Sequence, residues 1–292
     1  ERLSRSGVRI VCAVIVLAFT VRAFARNFDW YTPESLFTSA ERTVPESFRP
    51  HHVLAGIYQT AGKLEDAIHE ADQSTRILSS LPDDQSLALP WVTAASIYAA
   101  KASSLSTAEA ATWWNKALDA VHRARQIAVA QDARVRRIDA EYGKPYHAAD
   151  TRMIYENLGY VEMRTRNFDR SIEAIKTAMQ QGLSTNTFIN LATDYRDQGD
   201  QRNAEITLLE GMLWGKDNSF GSRLVELYRQ GDSENCAIRS DGNSVGLNTA
   251  CPLVRSELCD AAARLLPLLE SQGQTADAAH VRAQAAQWGC GR

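Results

Sequence analysis

The sequence predicts an all-α protein, a helical-repeat solenoid carried on one N-terminal transmembrane helix. Three observations predict it. Alanine abounds, while glycine and proline are sparse, 16 and 8 in 292 residues, and fall mainly between segments of helical periodicity, a composition that favours helix. From residue 32 onward, apolar residues recur at helical spacing in paired segments joined by short turns. Residues 8–25 form one apolar stretch with arginine at either end. A net charge of −3 argues against a nucleic-acid binder, which is expected to be basic with clustered Lys and Arg.

The apolar stretch comes first. Its uninterrupted part runs from Ile10 to Val21, short of the roughly 20 residues that cross a bilayer, but Arg9 and Arg22 can snorkel to the interfaces and lengthen the span. No small-residue cleavage pattern follows, which disfavours a signal peptide. Arg2, Arg5 and Arg9 precede the stretch, whereas Asp29 and Glu34 dilute Arg22 and Arg26 behind it. The positive-inside bias therefore places the N-terminal flank in the cytoplasm and the rest of the chain outside. Trp30 and Tyr31 fit an interfacial aromatic anchor. Residue 1 is glutamate, so the chain is read as processed or as a piece of something longer.

Thr32-Pro33-Glu34 is a helix start, with Thr32 as the cap, Pro33 in the first turn and Glu34 near the positive helix end. Leu36, Phe37 and Ala40 mark one face, and Pro45 stops the helix. A helix pair follows. His51, Leu54, Ala55 and Tyr58 share a face of the first helix, Gly62 makes the turn, and Leu64, Ala67 and Ala71 share a face of the second. This spacing resembles the tetratricopeptide repeat, in which small residues sit where the two helices touch. Ala55 and Ala67 are the expected contact. Trp91, Ala94, Ala95 and Tyr98, then Ala110, Trp114 and Ala117, repeat the pattern after a longer turn. Tyr155, Leu158 and Gly159 with Phe168 to Ala178 form a further copy, as do Phe188 to Tyr195 with Ala204 to Gly211. Leu224 to Tyr228 begins another first helix without a normal partner, and Arg264 to Trp288 closes the chain with a last pair.

Two insertions interrupt the array. Val121 to Lys144 reads as an extended helix followed by a loop, and Ser233 to Pro252 as a surface loop rich in Gly, Asn and Ser. The expected organisation is thus an anchor with its flanks over 1–31, repeats over 32–230 with an insertion near 121–145, and a Cys-containing loop with a closing helix pair over 231–292.

Cys12 lies inside the apolar stretch. Cys236, Cys251, Cys259 and Cys290 cluster near the C-terminus, an even set that fits disulfides in an extracytoplasmic compartment. The preferred pairing is Cys236 with Cys251, closing the loop, and Cys259 with Cys290. In the repeat register Cys259 begins a first helix and Cys290 follows its antiparallel partner, which brings those ends together. A zinc site is the rival, but no Cys-x-x-Cys or nearby His pair supports it.

No Gly-rich phosphate loop, nucleophile elbow or His-Glu-x-x-His occurs. His51 and His52 are adjacent, so on a helix they diverge by about 100° and do not share a metal easily. The sequence therefore assigns no catalytic, cofactor-binding or metal-binding residue. Arg123, Arg125, Arg134, Arg136 and Arg137 read as a solvated helix face. The inner surface of a solenoid usually binds extended peptides or partner helices. Here Tyr160, Met163, Arg164, Asn186 and Arg196 are the candidate contacts to a protein or peptide, with His52, Gln59, Glu156, Ile189 and Thr193 beside them.

The block Arg26-Asn27-x-Asp29-Trp30, Glu34-Ser35-Leu36-Phe37, Ala40, Pro45 and His52-x-Leu54-Ala55 resembles the junction in transmembrane O-mannosyltransferase-like proteins of GT-C type that carry tetratricopeptide repeats. The resemblance covers residues 7–82. It implies a multi-span catalytic region ahead of this block, transfer of sugar from a lipid-linked donor, and repeats on the extracytoplasmic side. That family's catalytic acids lie in the earlier membrane region, and no position here matches them. The expected function is a membrane-anchored extracytoplasmic scaffold that binds a protein partner or docks on a membrane complex. The alternatives are the acceptor-presenting tail of a membrane glycosyltransferase, and a soluble repeat adaptor with residues 8–25 packed inside. No Asn-x-Ser/Thr acceptor occurs, which favours a bacterial periplasm or outer face.

Overall fold

The computed structural model describes residues 5–145, 148, 150–215, 219–230, 234–240 and 245–290. Arg2 of the basic flank, and Ser233 and residues 241–244 of the Cys-bearing loop, lie outside the described residues.

Helix α1, Arg5–Asn27, carries exposed apolar side chains all round, among them Ile10, Val14, Leu17 and Phe24. Arg9–Trp30 is long and apolar enough to cross a membrane, and none of it is buried inside the protein. A 3-10 turn, Phe28–Trp30, leads into α2, Pro33–Thr43. The start of α2 follows from its sequence: the Thr32 side chain accepts from the Ser35 N–H while the Thr32 N–H donates to the Ser35 hydroxyl, a reciprocal cap. Pro33 sits in the first turn, where its missing N–H costs nothing.

Four helix pairs follow: α3 Phe48–Thr60 with α4 Leu64–Leu78, α5 Ala88–Ser103 with α6 Thr107–Glu141, α7 Arg152–Arg164 with α8 Phe168–Gln181, and α9 Thr185–Gln198 with α10 Gln201–Trp214. Close approach within pairs has the expected cause. Ala55 and Ala67 are both fully buried, and a Cβ added at Gly159 would lie 2.4 Å from Cγ1 of Ile175. The turns at Gly62 and Gly199 take positive φ, 73° and 90°, which glycine adopts without a Cβ clash. The α7–α8 turn has Arg166 in that conformation instead, at φ 64°.

After α11, Ser219–Gln230, the repeat pattern breaks. A single turn α12, Glu234–Ala237, leads to a short antiparallel ribbon, β1 Ile238–Ser240 and β2 Val245–Leu247, with Ile238 opposite Leu247. A closing pair ends the array, α13 Pro252–Ser271 and α14 Thr275–Trp288. The ribbon carries no alternating pattern long enough to read in the sequence. The closing pair also starts earlier than expected. α13 begins at Pro252 because Cys251 leaves the chain extended and Pro252 opens the first turn, so Cys259 lies inside the helix rather than at its start. Val121 to Glu141 continues α6 without a break, making a helix of 35 residues whose buried side chains stop at Ala128.

The fold is a tetratricopeptide-like solenoid. α3 touches α5, α5 touches α7 and α7 touches α9, while the even-numbered helices are more loosely apposed to one another. Helices α3, α5, α7 and α9 therefore form the inner layer. Two buried cores run along the array, one from Ala55 to Ala174 and one from Ile175 to Ala285.

Candidate partner-binding surface

The inner layer separates the expected contact residues into two patches. On α7, Tyr160 is half-buried and sets its ring edge-on to Trp114 of α6, 6.1 Å between centroids. The exposed Arg164 lies over the same indole, 5.2 Å from its centroid, an arrangement in which a cation meets the negative ring face. Met163 stays half-buried beside them. On α9, Ile189, Thr193 and Arg196 line a groove completed by Leu208 of α10 and by Arg223, Glu226 and Leu227 of α11. Asn186 is exposed one turn before Ile189. Arg196 is held by its neighbour Asp197, Nη2 to Oδ1 2.7 Å, which leaves Arg223 and Glu226 as further charges at the groove. The sequence reading does not name those two, although it places Leu224 to Tyr228 in a first helix; carrying the α9 register onto that helix finds them.

Other inner residues serve the scaffold. Gln59 donates to the Ser96 hydroxyl, 2.9 Å, tying α3 to α5. Glu156 accepts from Arg152 at 2.9 Å and from the Ser184 hydroxyl at 3.2 Å, tying α7 to the start of α9. The basic run is not all solvated: Arg123 pairs with Asp83 at 2.6 Å and Arg134 donates to the Asp84 carbonyl at 3.0 Å, so both hold the α4–α5 loop.

Glu41, His51 and Glu70 bring their ligand atoms within 4.8 Å of one another. The geometry is nonetheless that of an ion pair. Nδ1 of His51 faces Glu70 Oε2 at 2.7 Å and Nε2 faces the Pro45 carbonyl at 2.9 Å. Both partners only accept, so both ring nitrogens donate and no lone pair is left for a metal. Burial alone would lower the His51 pKa, but the hydrogen bonds to Glu70 and Pro45 outweigh it and the net shift is upward. Among the described residues His52 has no such partner for its Nδ1, and burial lowers its pKa.

A second buried polar chain crosses three helices. The Ser171 hydroxyl lies 2.7 Å from the Gly159 carbonyl and 2.6 Å from Oδ2 of Asp194. The hydroxyl faces two acceptors, the Gly159 carbonyl and the Asp194 carboxyl, and its proton is shared between them. Burial raises the Asp194 pKa to about 7, against the opposing Ser171 hydrogen bond. Further along, the Tyr228 hydroxyl donates to Glu257, and burial pushes Glu205 beside it up to about 7.

Cys236 and Cys251 lie at disulfide distance, as do Cys259 and Cys290, each pair with Cα atoms 5.3 Å apart. The first ties α12 to the start of α13 across the ribbon; the second ties α13 to the end of α14. Cys12 is free and exposed on α1.

No protein-family model and no curated protein matches the chain. Among solved structures it is similar to a thermophilic TPR protein of Thermus thermophilus, at 14% identity over 73% of this chain and 96% of that one, with a TM-score of 0.49. It is similar also to BtubC of P. vanneervenii, at 16% identity over 94% and 89%, with a TM-score of 0.35. YrrB, a TPR protein with an unusual peptide-binding site, matches at 16% identity over 63% and 94%, with a TM-score of 0.27. The likeness is one of fold type alone, and the repeat assignment rests on the helix pairs of this chain itself.

Proposed function

We propose that the chain is a membrane-anchored, extracytoplasmic repeat scaffold that binds a protein or peptide segment along its inner layer. The observation that carries this reading is the α9–α11 groove, where an apolar floor of Ile189 and Leu227 is rimmed by Arg196, Arg223 and Glu226. Such a groove suits a segment with apolar anchors and both signs of charge; Tyr160, Met163, Arg164 and Asn186 extend the track. The apolar span Arg9–Trp30, none of it buried inside the protein, supports anchoring, and the cysteine pairs support an oxidising compartment. The same exposure counts against the soluble adaptor, which needs residues 8–25 packed inside.

The test has two arms. In membrane vesicles of known sidedness, non-reducing peptide mapping and protease access should find the C-terminal cysteines oxidised and the repeats on the outer side; free thiols and cytoplasmic access overturn the placement. A photo-crosslinking side chain at Thr193 should capture a discrete partner from those membranes, and the Arg223→Glu variant should lose it. Equal capture from Glu173, on the outer layer, would sink the groove.

One observation favours the glycosyltransferase-tail alternative. The block that carries the family resemblance is one hydrogen-bonded joint: Asp29 accepts from Ser39 at 2.9 Å and lies 4.0 Å from Arg26, and Glu34 reaches Lys63 at 3.3 Å. A stiff joint would hold an acceptor at a set height above a membrane active site.

A further inference from the structure

A second opening lies on the other side of α9. Leu191 and Tyr195 face it, whereas Ile189, Thr193 and Arg196 face the partner groove; residues two apart on a helix point about 200° apart. It is a cleft of about 630 Å³ bounded by α8, α10 and α13, within the range of small-molecule sites. α13 bridges it, since Gln272 near its end donates to the Met179 carbonyl of α8 at 2.5 Å.

The chemistry of the cleft is unbalanced. Glu210 lines it and is only 7% exposed. No donor among the described residues reaches its carboxylate; only the charges of Arg264 and Lys176, at the exposed mouth, act on it from a distance. Both cations are partly engaged: Arg264 donates to Asn203 at 2.9 Å and Lys176 lies over the Tyr195 ring at 5.5 Å. The carboxylate faces the open cleft, where a cationic group entering from solvent can meet it. A ligand that completes the site must bring a cationic donor to Glu210, an anion to the mouth, and apolar surface against Met179, Leu191 and Tyr195.

We propose that this cleft binds a small zwitterion of the amino-acid or short-peptide class, with Glu210 receiving its ammonium group and Arg264 and Lys176 its carboxylate. Burial raises the Glu210 pKa to about 7. An ammonium group beside it favours the ionised form, so binding at neutral pH releases a proton.

Isothermal titration of the full chain in detergent at pH 7 tests this, with L-leucine, L-methionine and L-phenylalanine as free amino acids, as N-acetyl forms and as amides, and with dileucine. Each titration is run in two buffers of different ionisation enthalpy. At least one free amino acid or dileucine should bind saturably, and its N-acetyl and amide forms about tenfold or more weaker. The apparent heat should differ between buffers. Glu210→Gln should weaken binding by about tenfold or more and remove the buffer dependence, while Arg264→Ala should weaken it and keep that dependence. Free forms and dileucine distinguish an amino-acid from a peptide ligand. No saturable binding, equal binding of the N-acetyl form, or wild-type binding by a folded Glu210→Gln would each overturn the proposal. Should Glu210→Gln fail to fold, the N-acetyl comparison and the exposed Arg264→Ala variant decide it.

Discussion

The two cores solve the same packing problem differently. In the first, from Ala55 to Ala174, more than half of the buried residues are alanine, including Ala94, Ala95, Ala117, Ala120 and Ala124. In the second, large side chains dominate: Phe188, Phe220, Tyr228 and many leucines. They meet on α8, where Ala174 belongs to one and Ile175 to the other. Alanine buries little area, so the first core gains stability from close backbone approach and is sensitive to added volume. The second gains it from area and is sensitive to removed volume. It also carries the buried acids Asp194, Glu205, Glu210 and Glu257 and both cysteine pairs. Buried acids occur in both stretches, Glu70 and Glu162 in the first, but only the end beyond α11 adds covalent ties.

The contrast can be broken in order of expected effect. Phe188 is fully buried between Trp214 and Phe220, with centroids at 5.6 and 6.2 Å. Phe188→Ala should cost about 3–5 kcal/mol in denaturant unfolding, with hydrogen exchange rising over α8–α14 more than over α3–α5. Uniform acceleration along the chain would mean one cooperative core. Next, replacing Cys259 and Cys290 by serine opens a loop of sequence separation 31 and should cost about 2–4 kcal/mol, read from the same melts; an unchanged melt under oxidising conditions would show that α13 and α14 need no clip. Ala67→Trp, in the first core, should cost about 1–3 kcal/mol; an unchanged thermal midpoint would remove the close α3–α4 contact.

The smallest effect is in pH. Asp194 has its folded-state pKa raised to about 7 from 3.8. The folded state therefore holds the proton more tightly, and its contribution is complete below about pH 3.8 and lost as pH rises through about 7. Asp194→Asn, which keeps an acceptor for Ser171 and removes the titration, should flatten the fall in stability over that window. The His51 shift is also upward, from 6.5, so the α2–α4 end should lose its contribution only as pH climbs past 6.5. Hydrogen exchange followed over pH separates the windows; a single shared transition would contradict two independent titrating clusters.

Much of the array was legible in the residues. Gly62 and Gly199 mark turns because the chain must take positive φ there, and Ala55, Ala67 and Gly159 mark contacts that admit nothing larger. The α7–α8 turn was harder to read at residue level, because Arg166 occupies the left-handed position without glycine. The candidate partner surface was half legible. Ile189, Thr193 and Arg196 share a helical face by spacing alone, but Arg223 and Glu226 join them only because α11 packs on α10. His51 read as a packing residue; its pairing with Glu70, 19 residues on, was beyond local pattern.

By itself, the sequence determined what depends on local spacing: the helices, their caps and turns, the apolar length of α1, and which face of each helix is buried. Tertiary structure alone decided which charges lose their water. Asp194, Glu205 and Glu210 look like ordinary surface acids in sequence, and their pKa values rise to about 7 because helices distant in the chain close over them. Desolvation is a property of the enclosing shell, and that shell exists only once α10, α11 and α13 have packed together.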